Sequence, residues 1–365
     1  MKPEELVCRR FQALKAYDPT RSVEALAEEV GVAVAGVVKL DGNENPYGPS
    51  PRVKRALARY PYFHIYPDPY QKALRKALAG YVGMGEESIV AGAGSDELID
   101  LILRLFLDPG DRVINLPPTF GMYPFSTLVC GGEVAEVPRD EDFHIDLEGA
   151  KKAVGPRTKV VFVASPNNPT GDISDRKTVQ ALLETGIIVV VDEAYYEFCG
   201  ETVVPLVSKY DNLIVLRTFS KWAGLAGLRL GYGVFPPTIA EYIMKMKPPY
   251  NINAAAQVAA LASLKDLEYL RGRVEAILKE RERLFLELSR LIYMRPYPSR
   301  ANFILCRVMG GRAKYLWQGL RQRGVFVRYF DTPRLRDFIR ISVGRPEDTD
   351  ALLAAIKEVV HGQAS

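Results

Sequence analysis

Between about residues 88 and 235, short apolar runs alternate with segments of helical character, and this alternation constrains the fold more than any other feature. Residues 187–191 read IIVVV, with no polar residue among them. Such runs are typical of strands that are buried on both faces of a mostly parallel sheet. The apolar runs cover 89–91, 112–116, 160–164, 187–191, 213–216 and 230–234, and the helical segments include 95–107, 175–184 and 202–210. The pattern predicts an α/β domain with helices flanking the sheet.

The pattern changes after residue 250. Long amphipathic helices are predicted over 254–264 and 268–291, followed by strands and helices that are typical of a smaller α+β domain. The full chain of 365 residues is longer than one hydrophobic core usually supports. We therefore predict an N-terminal arm that includes part of the small domain (1–50), a large cofactor-binding domain (51–255) and a small C-terminal domain (256–365).

Composition excludes several classes of protein. No apolar run approaches the ~18–20 residues of a membrane span, and the N-terminus shows no export signal, so we expect a cytoplasmic protein without membrane contact. The net charge of +4 is too small to indicate nucleic-acid binding. Three histidines and four widely spaced cysteines argue against a metal site and favour free thiols.

Polar loops follow the apolar runs at the points where the predicted strands end. Ligands of open parallel sheets bind beyond the carboxyl ends of the strands, so these loops are expected to converge on one site. The loops are GAGSD (92–96), PPTF (117–120), SPNNPTG (165–171), DEAY (192–195) and TFSK (218–221). Five such loops on one edge of the sheet predict a single binding site.

Two of these loops suggest an anion site and a buried charge. Gly94, Ser95 and Asp96 open a helix whose backbone N–H groups could bind a phosphate, although Ser95 could equally be an ordinary N-cap. Asp192 ends a very apolar strand, where a carboxylate needs a cationic or N–H partner. A protonated pyridine nitrogen would serve as that partner, and a structural ion pair or helix cap is the alternative.

Basic and aromatic residues complete the candidate site. Lys221, held near Ser220, Thr218 and Arg229 in an apolar pocket, could lose its proton and act as a nucleophile. Arg340 lies within the apolar run FIRISV, where a buried guanidinium would need an anionic partner such as a carboxylate. Phe120 could stack on a flat ring, or it could belong to the core.

The motifs resemble a known family. SPNNPTG, DEAYYEF and TFSKWAGLAGLRLGYG, in this order, resemble the fold-type I aminotransferases. LDGNENPYGPSP, IYPDP, AGAGSDELIDLILRLFLDPGD and PPTFGMY narrow the resemblance to the histidinol-phosphate aminotransferase family, from about residue 40 to the C-terminus. The first forty residues match nothing specific. Phe120 departs from the tyrosine that many relatives have at this position, which removes a hydroxyl but leaves a ring for stacking.

The resemblance implies a cofactor, pyridoxal 5'-phosphate, and a role for each matching residue. Lys221 would bind the cofactor covalently and Asp192 would pair with its ring nitrogen, while Asn168 and Tyr195 would bond its phenolic oxygen. Ser95, Asp96, Thr218, Ser220 and Arg229 match residues around the cofactor phosphate. Tyr66 matches a tyrosine that reaches this phosphate from the neighbouring subunit, which implies a homodimer. Arg340 would bind the substrate carboxylate, Arg328 would lie near the substrate phosphate, and Asn43 and Glu44 belong to a segment over the substrate.

The activity that the resemblance implies is ping-pong transfer of an amino group between histidinol phosphate and 2-oxoglutarate, in histidine biosynthesis. An aromatic-amino-acid aminotransferase and a phosphothreonine decarboxylase remain alternatives, because both use the same kind of site. A non-catalytic regulator would need a DNA-binding domain, for which the chain has no room. A nicotinamide dehydrogenase is excluded because GAGSDE lacks the last glycine of the G-x-G-x-x-G motif.

Overall fold

The computed structural model describes residues 2–12 and 14–361 and contains two β-sheets. The seven-stranded sheet has the order β2-β8-β7-β6-β5-β3-β4, and the five-stranded sheet has the order β1-β11-β12-β10-β9. The strands are β1 (Val38–Leu40), β2 (Ile89–Gly92), β3 (Arg112–Asn115), β4 (Glu133–Glu136), β5 (Thr158–Ala164), β6 (Ile188–Asp192), β7 (Leu213–Thr218), β8 (Gly231–Val234), β9 (Met294–Pro296), β10 (Phe303–Val308), β11 (Val325–Tyr329) and β12 (Phe338–Ser342).

Helices flank both sheets. They are α1 (Arg9–Gln12), α2 (Val23–Val30), α3 (Pro51–Arg59), α4 (Lys72–Val82), α5 (Ser95–Phe106), α6 (Met122–Val129), α7 (Leu147–Lys152), α8 (Arg176–Leu183), α9 (Tyr196–Cys199), α10 (Pro237–Met246), α11 (Ala254–Leu264), α12 (Leu267–Ser289), α13 (Ala313–Gln322) and α14 (Pro346–His361). Across the described residues, none of these helices has the length and apolar character needed to cross a membrane.

The large sheet is mixed but mostly parallel, as predicted. β3 pairs in parallel with β4 and β5, and β5, β6 and β7 continue the parallel pairing. β8 runs antiparallel to both of its neighbours, β2 and β7. The parallel pairing aligns the carboxyl ends of β5, β6 and β7 at one edge, because Ala164 pairs with Asp192 and Asp192 pairs with Leu216.

The two faces of this sheet contribute to two different hydrophobic cores. On β6, Val189 and Val191 belong to one core, whereas Val190 belongs to the other, which also contains Phe162 and Leu216. All of these side chains are at most 1% exposed. The lack of polar alternation in IIVVV therefore has a direct cause, since each face of the strand is covered by helices.

The small sheet incorporates the N-terminal arm. β1 pairs in parallel with β11, whereas β10, β11 and β12 pair antiparallel. Helices α11 and α12 precede β9, the first of the four C-terminal strands of this sheet, at the positions that the sequence pattern predicts. The domain boundaries at residues 50 and 255 stay a prediction.

One predicted helix is wrong. Residues 202–210 form only a short 3₁₀ turn, Val204–Leu206, in place of an α-helix. The backbone N–H of Val203 donates to the Glu193 carboxylate at 2.7 Å, and that of Val204 donates to the Thr202 hydroxyl at 3.0 Å. These bonds give the first N–H groups of the segment side-chain acceptors. The chain then closes 3₁₀-type turns, in which the N–H of Leu206 donates to Val203 and that of Val207 donates to Val204.

Candidate active site

A cavity of about 1050 Å³ lies at the carboxyl ends of β5, β6 and β7. Ala164, Asp192 and Thr218, the last residues of these three strands, all line it. Of the residues predicted for the site, the cavity is lined by Asn43, Glu44, Ser95, Asp96, Phe120, Asn168, Asp192, Tyr195, Thr218, Ser220, Lys221, Arg229, Arg328 and Arg340. The five predicted loops therefore converge as the sequence indicated.

Asp192 lies at the floor of the cavity and is only 6% exposed. One carboxylate oxygen accepts a hydrogen bond from the Tyr123 hydroxyl at 2.8 Å, and the other accepts from the backbone N–H of Ala194 at 3.0 Å. Burial nevertheless raises the pKa of Asp192 to about 6. A carboxylate in this position would be stabilised by a positively charged group in the cavity.

Lys221 follows β7 by three residues and projects its amine into the same cavity. The amine donates a hydrogen bond to the backbone carbonyl of Gly42 at 2.9 Å. Burial, with a smaller contribution from the charge of Arg340, lowers the pKa of Lys221 to about 8. The lowered pKa increases the fraction of neutral, nucleophilic amine near physiological pH.

A polar network connects the N-terminal arm to the edge of the small sheet. Asn43 donates to the Tyr195 hydroxyl at 2.9 Å, and its backbone N–H donates to Ser342 at 2.8 Å. Arg340 donates to the side-chain oxygen of Asn168 at 2.5 Å, while its Nε is buried without a hydrogen-bond partner among the described residues. An anionic ligand would supply the missing acceptor.

The start of α5 forms a second polar end of the cavity. Arg229 contacts Asp96 at 2.7 Å, and the hydroxyl of Thr218 donates to that of Ser220 at 3.0 Å. Gly94 caps the helix with φ 86°, so Ser95 is its first residue and not its N-cap, which corrects that part of the prediction. A Cβ on Gly94 would lie 2.5 Å from the Arg229 guanidinium, so only glycine lets this arginine approach.

Two of the described residues that were predicted for the site, Gly94 and Tyr66, do not line the cavity. Gly94 precedes the lining residue Ser95, as described above. Tyr66 is 75% exposed and stacks on Tyr250 with ring centroids 4.3 Å apart. The predicted role of Tyr66 places it in the site of a second copy, so its location in a single chain does not test that prediction.

Comparison with known proteins identifies the family. The family model for aminotransferase class I and II matches residues 35–356. The chain belongs to this family. A histidinol-phosphate aminotransferase of Roseiflexus castenholzii is 51% identical over 95% of this chain and 96% of its own length. One of Dehalococcoides mccartyi is 50% identical over 88% of this chain and 90% of its own length.

A solved structure agrees with both the family and the fold. The histidinol-phosphate aminotransferase of Sinorhizobium meliloti, in complex with pyridoxal-5'-phosphate, superposes with a TM-score of 0.89. The alignment covers 98% of each chain at 29% identity. The family and the fold-type I architecture expected from the motifs are thereby confirmed.

The sequence did not predict two parts of the candidate site. Tyr123 belongs to the quoted motif PPTFGMY, but its bond to Asp192 joins residues 69 positions apart and has no local signal. Residues 17–22 also line the cavity, although nothing in the first forty residues indicated it. The Tyr17 ring contacts the Phe120 ring edge-on at 6.4 Å, and Arg328 pairs with Asp18 at 3.1 Å.

The Phe120 ring contacts its aromatic neighbours edge-on, and its predicted stacking on the ring of a ligand stays a prediction. The ring centroids of Tyr123 and Tyr17 lie 5.5 and 6.4 Å from that of Phe120, which also lines the cavity.

Over the part of the chain that the structure describes, no group of three or more metal-ligating side chains is present.

Proposed function

We propose that this chain transfers the amino group between histidinol phosphate and 2-oxoglutarate, with pyridoxal 5'-phosphate as cofactor. The single observation that carries the proposal is the presence, in one cavity, of an amine with a lowered pKa and a buried carboxylate that pairs with no cation among the described residues. Relatives that are about 50% identical over most of the chain are named histidinol-phosphate aminotransferase.

The residues of the cavity fit this cofactor. Asp192 is buried and has no positively charged partner in the described part of the chain, and the protonated ring nitrogen would supply one. The first turn of α5 lies beside Thr218, Ser220 and Arg229, and together they offer N–H, hydroxyl and guanidinium donors to a phosphate. Asn168 and Tyr195 line the same cavity and would offer an amide and a hydroxyl donor to the phenolic oxygen of the cofactor.

Each residue then has a defined task in the reaction. Bound pyridoxal phosphate supplies an electron sink for negative charge at the α-carbon of the substrate. Lys221 binds the cofactor through its amine and, when released, moves the α-proton; such acid–base help typically contributes about 10²–10⁴ in rate. Arg340 binds the carboxylate of the dicarboxylic partner, and Arg328 binds the phosphate of histidinol phosphate. Asn43 and Glu44 belong to the arm that covers the bound substrate.

We also propose a homodimer in which Tyr66 reaches the site of the second copy. The supporting observation is a surface of exposed rings around Tyr66. Tyr62, Phe63 and Tyr70 are 54%, 55% and 62% exposed, which is a large apolar surface to leave in water. The cytoplasmic location expected from the N-terminus stays a prediction.

The test is a comparison of rates on purified protein loaded with its cofactor. Histidinol phosphate, phenylalanine and phosphothreonine are each offered with 2-oxoglutarate, and glutamate and carbon dioxide are measured. We expect glutamate to form fastest from histidinol phosphate, without carbon dioxide. The Lys221→Ala variant is expected to lose the visible absorbance of the bound cofactor and nearly all turnover.

Other outcomes would redirect the assignment. Faster turnover of phenylalanine would keep the reaction and change the substrate to an aromatic amino acid. Release of carbon dioxide from phosphothreonine would make the protein a decarboxylase. A Lys221→Ala variant that kept both absorbance and turnover would contradict the role of the lysine.

A further inference from the structure

The connection between α3 and α4, residues 60–71, is an irregular loop that carries exposed aromatic side chains. We call it the aromatic loop. Its most exposed ring, Tyr66, is 75% exposed and stacks on Tyr250 with an interplanar angle of 16°. An exposed loop of this length needs contacts with the rest of the fold to hold one conformation.

One such contact is a buried lysine. Lys247, directly after α10, is only 6% exposed. Its amine donates to the carbonyl oxygen of Pro69 at 2.9 Å and to those of Pro248 and Pro249 at 3.3 Å each. Burying an ammonium group is costly unless its N–H groups are bonded, so these three carbonyls compensate the charge. The amine thereby attaches the aromatic loop, through Pro69, to the segment that carries Tyr250.

A second contact joins the same segment to the cavity. The side-chain oxygen of Asn251 accepts from Gln71 at 2.9 Å, at the end of the aromatic loop. The amide nitrogen of Asn251 donates to Glu97 at 2.8 Å, in the first turn of α5. Glu97 in turn accepts from the backbone N–H of Ala93 at 2.6 Å. The aromatic loop is therefore connected by hydrogen bonds to the glycine-rich turn that precedes Ser95.

We propose that Lys247 and Asn251 are positioning residues that hold the aromatic loop so that Tyr66 reaches the cofactor phosphate in a second copy of this chain. The proposal rests on the homodimer stated under the proposed function. Asn251 also connects the loop, through Glu97, to the turn that would bind the phosphate of the chain's own cofactor. Lys247 and Asn251 therefore link the tyrosine that would enter the partner's site to the phosphate-binding turn of the same chain.

The test uses Lys247→Met in the full-length chain, with Lys245→Met as the matched control. Lys245 lies two residues earlier, in the last turn of α10, is exposed, and pairs with Glu241 at 2.6 Å. Amide hydrogen exchange is measured along the chain, and pyridoxal phosphate is titrated into cofactor-free protein. For Lys247→Met we expect exchange across residues 61–71 to rise about tenfold, with β5, β6 and β7 unchanged.

The cofactor titration distinguishes positioning from simple stability. In Lys247→Met the dissociation constant of the cofactor should rise about tenfold, as expected for the loss of a hydrogen bond to a charged group, while kcat at saturating cofactor stays within about twofold. Tyr66→Phe should weaken cofactor binding without changing exchange in the loop. Lys245→Met should change neither quantity.

Several results would overturn the proposal. Unchanged exchange across 61–71, or a uniform rise over the whole chain, would show that Lys247 does not position this loop. If Tyr66→Phe left cofactor binding unchanged, the reach of Tyr66 would be refuted and the proposal with it, while the rates with histidinol phosphate would still decide the reaction. If Lys247→Met did not fold, Lys247→Gln, which keeps an amide NH2 and loses the charge, is expected to loosen the same loop. Unchanged exchange of the loop in that variant would refute the proposal.

Discussion

At the scale of single residues, two adjacent carboxylates at the end of β6 have opposite environments. Glu193 is neutralised by Arg217, whose guanidinium donates to it at 2.8 and 3.0 Å. Asp192 faces the cavity, and among the described residues its hydrogen-bond partners are the Tyr123 hydroxyl and one backbone N–H. The alternation of a strand places neighbouring side chains on opposite faces, so one carboxylate becomes structural and the other is available to a ligand.

Asp192→Asn is expected to weaken binding of pyridoxal phosphate by about ten- to a hundredfold. The reason is the loss of a hydrogen bond between charged groups, which contributes about 1.5–3 kcal/mol. Titration of the cofactor into cofactor-free protein measures this change. Tyr123→Phe removes only one neutral donor to the carboxylate and should have a smaller effect. Wild-type affinity in Asp192→Asn would refute the proposed pairing with the ring nitrogen.

At the scale of elements, the N-terminal arm is packed against the loop that carries Lys221. The side chain of Asn45 donates to the carbonyl of Trp222 at 2.7 Å, and Lys221 itself bonds Gly42. Gly224 adopts φ +68°, and a Cβ there would lie 2.5 Å from the backbone carbon of Gly48. The arm and the lysine loop can approach this closely only because a glycine stands at residue 224.

Gly224→Ala should therefore destabilise the protein by about 1–3 kcal/mol, through strain in the left-handed conformation and displacement of the arm. Gly227→Ala in the same loop is the control, because a Cβ there would meet nothing within 4 Å. Unfolding in urea would show the difference between the two variants. Equal free energies of unfolding in the two variants would contradict the prediction, because the arm could then move away from residue 224 without loss of stability.

At the scale of the whole molecule, the stability depends on a buried cluster behind the site that contains more negative than positive groups. Glu193 and Glu197 share one guanidinium, that of Arg217, which also lies over the Tyr196 ring at 3.5 Å. Glu197 accepts a hydrogen bond from Tyr81 at 3.1 Å, and its other oxygen is buried without a partner among the described residues. Burial raises the pKa of Glu197 to about 7.

The contribution of Glu197 to the stability should consequently fall as the pH rises from about 4.5 through about 7. Over this range the folded state binds the proton of Glu197 more tightly than the unfolded state does, so raising the pH favours unfolding. Glu197→Gln should remove this component and raise the free energy of unfolding at pH 8 by on the order of 2 kcal/mol. Urea unfolding at pH 5 and pH 8 measures it, with the exposed Glu184→Gln as control. A variant with the pH profile of the wild type would contradict the raised pKa.

Much of this architecture could be predicted from local patterns. Six of the seven strands of the large sheet lie on the predicted apolar runs, and the loops that follow several of them hold the polar residues of the site. The edge strand β4 reads EVAE, with both glutamates exposed, and the apolar runs did not predict it. The order of the motifs was enough to identify the family, which the comparisons confirm. Patterns of this kind are readable because strand burial and loop polarity are properties of short segments.

The tertiary structure decided the contacts that join distant segments. Residues 202–210 form only a short 3₁₀ turn, whose preceding residue Val203 donates its N–H to the Glu193 carboxylate, and Tyr123 reaches Asp192 across 69 positions. The place of Tyr17 beside Phe120 was likewise invisible, since the first forty residues contain no motif. Hydrogen bonds and ring contacts of this kind depend on how separate elements pack together, and no periodicity along the chain records that packing.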